Sequence, residues 1–387
     1  MSLSLPVGGA ARFAFDVGFE RNDRQEIEDN VDNEVGLGLL ARTLTGDGHL
    51  HHALSERVGG IVGVQLLRTS LEKYGEETLI PDNDVTSVGL YGFEQAEFGR
   101  WNLSFGLRFD HRALNVTADQ DLGVAQGALS WNSLTGNFGA LYHLGAGTAL
   151  VANAGRGFRS PSAFELFANG VHEGTVRFEL GNPDLRNETS FNTDLALRVQ
   201  SGQVNFEAGA FYNRIGNYIY PRPTNALDAE SGFRIFDVVQ GNARFYGMET
   251  SLDWHPSAAV HFRGTADYTN GHNTALGQPL PFIPPLRIGY GVRLEPDLQG
   301  ISEPYLSLGA ESNFRQTRTD EFDLAPDGYT LLNAGVGLGL PLGGRTIGLD
   351  LSIRNLLNTE YTSFLSRYKE YALDMGRNVT FRMRMEL

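Results

Sequence analysis

The stretch Trp101-Asn102-Leu103-Ser104-Phe105-Gly106-Leu107-Arg108-Phe109 sets an apolar residue against a polar or small one at every step. Side chains alternate faces along a strand, so this segment has one greasy face and one polar face. The pattern recurs in Phe262, Gly264, Ala266 and Tyr268 against His261, Arg263, Thr265 and Asp267. It returns in Ile288, Tyr290, Val292 and Leu294, in Leu349, Leu351 and Ile353, and in Phe381, Met383, Met385 and Leu387. A soluble sandwich alternates too, but over strands of about 5–6 residues. Here the alternation is sustained for about 9 residues or more, the length a tilted strand needs to cross a bilayer.

The polar alternates carry Arg, Asp and Glu, as a water-filled interior requires. Arg108, Asp110, Arg263, Asp267, Arg293, Asp350, Arg354 and Arg382 are expected to face inward, and Phe105, Phe109, Phe262, Val292, Leu351 and Met383 to face lipid. Trp101, Tyr142, Tyr212, Tyr218, Trp254, Tyr268 and Tyr329 stand near segment ends, where an aromatic girdle lies. The fold class is therefore all-β: a transmembrane, antiparallel, up-and-down β-barrel, one domain over residues 1–387.

Connections alternate short and long. The short ones are 98–100, 145–147, 201–203, 255–257 and 342–344; the long ones are 21–33, 73–84, 160–187, 221–233, 270–285, 316–328 and 359–370. Tight periplasmic turns and long outer loops give this rhythm, and counting segments yields about sixteen strands with both termini periplasmic. Pairing the first strand with the last would remove the sheet's edges.

Composition narrows the function. Lys+Arg 31 against Asp+Glu 46 gives a net charge of -15, and the positive charges are scattered Arg apart from Lys73 and Lys369. A nucleic-acid partner needs a basic stripe, so none is expected. With Cys 0 there is no thiolate nucleophile and no Cys-ligated zinc. No run approaches the roughly 18 apolar residues of a spanning helix, and no basic-then-apolar leader opens the chain. Gly-x-Ser-x-Gly and the phosphate-binding loop are missing, and Val176 replaces the second histidine of a zinc-protease pattern begun by His172-Glu173. Neither an enzyme nor a resident cofactor is expected.

Residues 153–190 read NAGRGFRSPSAFELFANGVHEGTVRFELGNPDLRNETS. A strand into Gly157-Phe158-Arg159 precedes Pro161, Phe164-Glu165-Leu166-Phe167, Gly181-Asn182-Pro183-Asp184-Leu185 and Glu188-Thr189-Ser190. This resembles the segment of TonB-dependent outer-membrane receptors in which a strand leads into an outer loop holding a short helix. Asn22 to Glu26, Gly75-Glu76-Glu77, Leu79-Ile80-Pro81 and Pro281 to Arg287 match as well. Ile353-Arg354-Asn355-Leu356-Leu357-Asn358 with Tyr361, then Gly376-Arg377-Asn378-Val379, is similar to the family's closing strands. The resemblance implies the C-terminal part of a barrel that in the family has about 22 strands around an N-terminal plug, and no plug is visible in this sequence. It implies uptake of a ferric siderophore or another small metal chelate, in the outer membrane of a Gram-negative bacterium. The surroundings would be outer-membrane lipid and lipopolysaccharide, the chain a monomer, and TonB a partner only if a plug is supplied elsewhere.

Two other functions fit the same strands. One is a plug-free, porin-like diffusion pore; on either reading the chain alone, without a plug, is expected to conduct steadily with modest selectivity and to bind a siderophore weakly at best. The other is a truncated or engineered barrel without a transport role.

Candidate ligand-binding residues lie in the 160–187 segment and at its entry: Arg159, Glu165, His172, Glu173 and Glu179, with His172 and Glu173 as a metal pair. Imidazole with carboxylate suits a borderline metal, and the Arg fork suits anionic oxygens. Against this, Phe164, Leu166, Phe167 and Phe178 could simply pack the loop down while its charges face water, and Arg159 could pin the strand-to-loop transition. A helix is expected around Ala163–Asn169, capped by Ser160 or Ser162 and ended by Gly170. His49, His51 and His52 fall near the periplasmic end of a strand, where a solvated or interface pair is the plainer reading.

Overall fold

The computed structural model describes residues 1–9, 11–29, 34–172, 175–321 and 323–385. Antiparallel strands follow one another in chain order: β1 (Ser2–Gly8), β2 (Ala11–Asp29), β3 (Glu34–Ser55), β4 (Val58–Tyr74), β5 (Asn83–Phe98), β6 (Trp101–Val116), β7 (Gly127–Gly145) and β8 (Thr148–Arg159). A long connection then holds α1 (Ala163–Phe167), β9 (Asn169–His172) and β10 (Arg177–Leu180). The wall resumes with β11 (Glu188–Gln200), β12 (Val204–Leu227), β13 (Arg234–Ser257) and β14 (Val260–Asn273). After the two-residue β15 (Gln278–Pro279) come β16 (Arg287–Leu294), β17 (Ser302–Asn313), β18 (Tyr329–Leu342), β19 (Arg345–Arg354) and β20 (Asn378–Met385). Among the described residues, setting aside β9, β10 and β15, seventeen of the twenty strands form the wall.

The strand beyond the expected sixteen is β1. It pairs with β2 from Ser2↔Asp16 to Gly8↔Ala11, so residue 1 sits part-way up the wall rather than at its turn end.

Register separates the two faces as the alternation predicts. Val64, Leu90, Phe109 and Leu134 stand opposite one another across β4, β5, β6 and β7. All four are exposed on the outer, lipid-side face. On the other face Arg108 reaches Asp110 at 2.6 Å and Gln65 at 3.0 Å, while Tyr91 donates to Asp47 at 3.0 Å. Arg263 pairs with Asp253 at 2.8 Å and Arg287 with Asp267 at 2.9 Å. Tyr305 lies over Gly337, where a Cβ would come within 2.2 Å of its ring, and its hydroxyl donates to Asp350 at 3.0 Å.

Turn chemistry closes one end. Gly343 and Gly344 take φ of 59° and 82°, the left-handed pair of a two-residue hairpin. The turn expected at 255–257 falls two residues later, at Ala258-Ala259, with Pro256 still in β13. Trp101 against Tyr142 (4.6 Å between ring centroids) and Trp254 against Phe262 (5.3 Å) lie at this end.

At the other end the strands outrun the expected loops. Residues 21–29 were expected in a loop but extend β2, with Asp29 opposite Glu34; residues 30–33 lie outside the described set. β12 likewise runs on to Leu227, opposite Arg234 at the start of β13, shortening the 221–233 loop. These segments are polar, so periodicity alone shows no membrane face there, yet their backbone groups still pair in the ladder. Tyr218 is not in a girdle: it packs inward at this loop end, between Tyr220 and Phe245.

Candidate functional site

Three local features build the loop end. At the top of β8, Arg159 spends its fork on two carboxylates. Nη1 donates to Glu165 at 2.7 Å and 2.8 Å, Nε to Glu188 at 3.0 Å, and Nη2 to Glu188 at 2.7 Å. Glu188, the first residue of β11 at the same end, also accepts the Ile219 N–H at 2.6 Å. Glu165 closes a capping box with Ser162, accepting its N–H at 2.9 Å while Ser162 Oγ accepts from the Glu165 N–H at 3.2 Å. Ser162 is thus the cap. The helix ends at Phe167, and Gly170 lies in β9 instead of terminating it.

Beyond α1 the chain folds inward. Ala163, Leu166 and Leu185 bury against Val85, Leu114 and Val116 on one side, and Ile219 and Val238 on the other. Ala168 joins Leu37, Leu79 and Ile80 in a second apolar cluster. β9 and β10 form a hairpin whose second strand adds in parallel to β13, Phe178 opposite Ile235. The 160–187 segment therefore touches the inner face from β3 round to β13, and it lies across the mouth rather than standing away from it.

The hairpin carries a polar cluster. His172 lies between two carboxylates, Nε2 3.5 Å from Glu26 and Nδ1 3.6 Å from Glu179, with Arg24 Nη2 at 3.4 Å. Arg177 is 3% exposed, lies 3.2 Å from Glu179 and stacks over Phe236 at 4.6 Å. Among the described residues, buried atoms here are short of partners: Arg177 Nε and Nη1, His172 Nδ1, Glu179 Oε2 and Glu26 Oε2 make no hydrogen bond. Such groups are rare in folded proteins and call for a water, an ion or a ligand. Glu173 lies outside the described residues.

The structure thus divides the sequence candidates into two groups. Arg159 and Glu165 meet each other and Glu188, whereas His172 and Glu179 meet Arg177, Arg24 and Glu26. Phe164 links the groups, its ring 6.1 Å from that of His172.

Sequence reasoning missed a third feature. Arg177, Arg234 and Phe236 line a cleft with Asp323, Lys369 and Tyr371, contributed by two further loop-end segments. Lys369 pairs with Asp323, both nearly inaccessible, and its ammonium lies 4.3 Å from the centre of the Phe364 ring. The other lysine does the same work: Lys73 at the end of β4 pairs with Asp119 in the β6–β7 connection. Burial alone would raise the Asp119 carboxyl, but Lys73 and the backbone N–H groups of Leu122 and Asp121 outweigh it and hold the group below the ordinary aspartate range. That stabilisation is complete above the unfolded value of about 3.9 and is lost as pH falls through the depressed one. The available signal was scarcity: a chain rich in Arg keeps two lysines, and both tie loop-end segments together.

Comparison with known proteins supplies the lineage of this architecture. A family model described as "TonB dependent receptor-like, beta-barrel" matches residues 9–356. Among solved structures, the copper transporter OprC superposes with a TM-score of 0.74 at 17% identity, over 95% of this chain and 60% of that one. The FrpB iron transporter of Neisseria meningitidis gives 0.71 at 12% identity, over 96% and 59%. The ferric citrate transporter FecA gives 0.70 at 14% identity, over 99% and 60%. At these identities the likeness is one of fold, and the chain spans about three fifths of the proteins it matches.

Proposed function

Because this chain belongs to the TonB-dependent receptor-like β-barrel family, whose proteins are transporters rather than enzymes, we propose that it forms the wall and ligand-capturing mouth of an outer-membrane uptake receptor. The cargo would be a small anionic metal chelate, a ferric siderophore above all. The neighbours' printed cargoes, copper, iron and ferric citrate, are compatible with this class. On this reading the apolar face meets outer-membrane lipid and lipopolysaccharide, the loops face outward, and the chain supplies wall and loops as one domain. Force from TonB would act through a plug domain inside this wall.

One observation carries the reading: the inward-folded 160–187 segment buries donors that the described residues leave without a hydrogen bond. Arg177 Nε and Nη1 are two of them, with Glu179 3.2 Å from Nε but out of hydrogen-bond alignment, next to His172 and the cleft with Arg234 and Lys369. A chelate rich in carboxylate or catecholate oxygens would use them, Arg through its planar fork. A diffusion pore has no need of a segment packed across its mouth on two apolar clusters.

The test is a binding titration on the purified chain with two probes, ferric citrate and a ferric tris-catecholate. Saturable binding of at least one is expected. Arg177→Ala should weaken it about tenfold or more, because hydrogen bonds to charged groups contribute roughly 1.5–3 kcal/mol. Equal affinity for wild type and variant, or no saturable binding of either probe, would overturn the assignment of this cleft.

A further inference from the structure

We propose that His49 and His51 form a divalent transition-metal site on the inner face of the wall, far from the loops and close to the turns, with Asp47 as its positioning residue. Asp47, His49 and His51 alternate along β3, so the strand period puts all three on one face. Across the ladder Asp16 stands opposite Asp47 and Arg12 opposite His51. His52 points the other way and pairs with Glu94 at 2.8 Å.

The ring nitrogens define the site. His49 Nδ1 lies 2.6 Å from Asp47 Oδ1. A carboxylate only accepts, so Nδ1 carries the hydrogen and Nε2 is left as the coordinating atom. Asp47 is itself held, accepting from the Tyr91 hydroxyl at 3.0 Å. His51 Nε2 lies 3.0 Å from Arg12 Nη2, a group that only donates, so it too presents a lone pair. The two Nε2 atoms face each other at 3.1 Å. Two lone pairs at that distance repel unless a proton or a cation lies between them. Metal–imidazole bonds of about 2.0–2.1 Å place neighbouring ligand nitrogens roughly 2.9–3.4 Å apart, which is the spacing present.

Charge fits as well. The ligand atoms of Asp16, Asp47 and His49 lie within 4.8 Å of one another, so two carboxylates offset an incoming dication. Arg12 is exposed and free to swing from His51 into the lumen as the metal takes its place. Imidazole pairs of this kind select zinc, copper or nickel over calcium or magnesium. The site does not depend on the receptor reading, since it shares no residue with the loop-end clusters.

His52 provides the control, since it lies on the opposite face of β3 and is paired with Glu94. The experiment titrates Zn2+ by calorimetry and Cu2+ by electron paramagnetic resonance into the full chain in detergent micelles. We expect a saturable site with nitrogen hyperfine structure from two imidazoles. It should be lost in His49→Ala/His51→Ala and retained in His52→Ala. Asp47→Asn should weaken it by about tenfold, as loss of an orienting carboxylate does. Retention of the site in the double variant, its loss in His52→Ala, or no saturable binding to the wild type would overturn the proposal.

Discussion

Lys369→Met is expected to cost the loop end about 3–5 kcal/mol of local stability, the usual consequence of stranding one member of a buried ion pair. Lys369 and Asp323 have side chains only 6% and 3% exposed, so the remaining carboxylate could not be rehydrated without opening the cap. The ammonium also donates to the Phe364 carbonyl at 3.0 Å, and that acceptor would be orphaned with it. The diagnostic comparison is with Asp323→Leu/Lys369→Met, which removes both charges and should recover most of the loss. Amide hydrogen exchange over 314–328 and 359–371 reads the result. Equal protection in wild type and single variant would show that the pair does not hold these segments together.

Leu351→Arg is expected to cost the barrel about 2–4 kcal/mol, the penalty for a cation facing lipid near mid-membrane, against little for Ser352→Arg. Leu351 lies six to seven residues beyond the Gly343-Gly344 turn, roughly 20 Å along the tilted strand, and it stands between Val336 and Phe381 on the outer face. Ser352, one residue on, stands between Gly335 and Thr380 on the inner face. Equilibrium unfolding from lipid vesicles measures both. Equal tolerance at the two positions would contradict a lipid-facing row.

Faces and turns were legible because they are set locally, by a period of two and by residues such as Gly343-Gly344. The helix cap was legible for the same reason: Ser162 and Glu165 are three residues apart and satisfy each other's backbone. The extensions of β2 and β12 past the expected loop starts were not, since polar strands outside the bilayer carry no apolar rhythm. The site was half legible. His172 and Glu179 could be picked out from one loop, but Glu26, Arg177 with Phe236, and Lys369 with Asp323 are brought together only by the curvature of the sheet and convergence of distant loops. Arg159 was read with two roles open, and the structure places its fork on Glu165 and Glu188, where it braces the loop that carries the other candidates.

That bracing changes what is expected of the lumen. A hydrated wall lined with both charge signs suggests steady conduction, but the 160–187 segment lies across the mouth on two apolar clusters. The claim that this segment closes the mouth of a membrane-spanning wall is tested most directly by ion conductance in planar bilayers. The comparison is between the full chain and a variant in which residues 162–186 are replaced by a short glycine-rich turn. Arg159 and Glu188 already stand opposite each other in register, so the shortened hairpin leaves the wall intact. The account predicts a largely silent full chain and a steady, several-fold larger conductance once the segment is gone. The same large conductance from both proteins would contradict it.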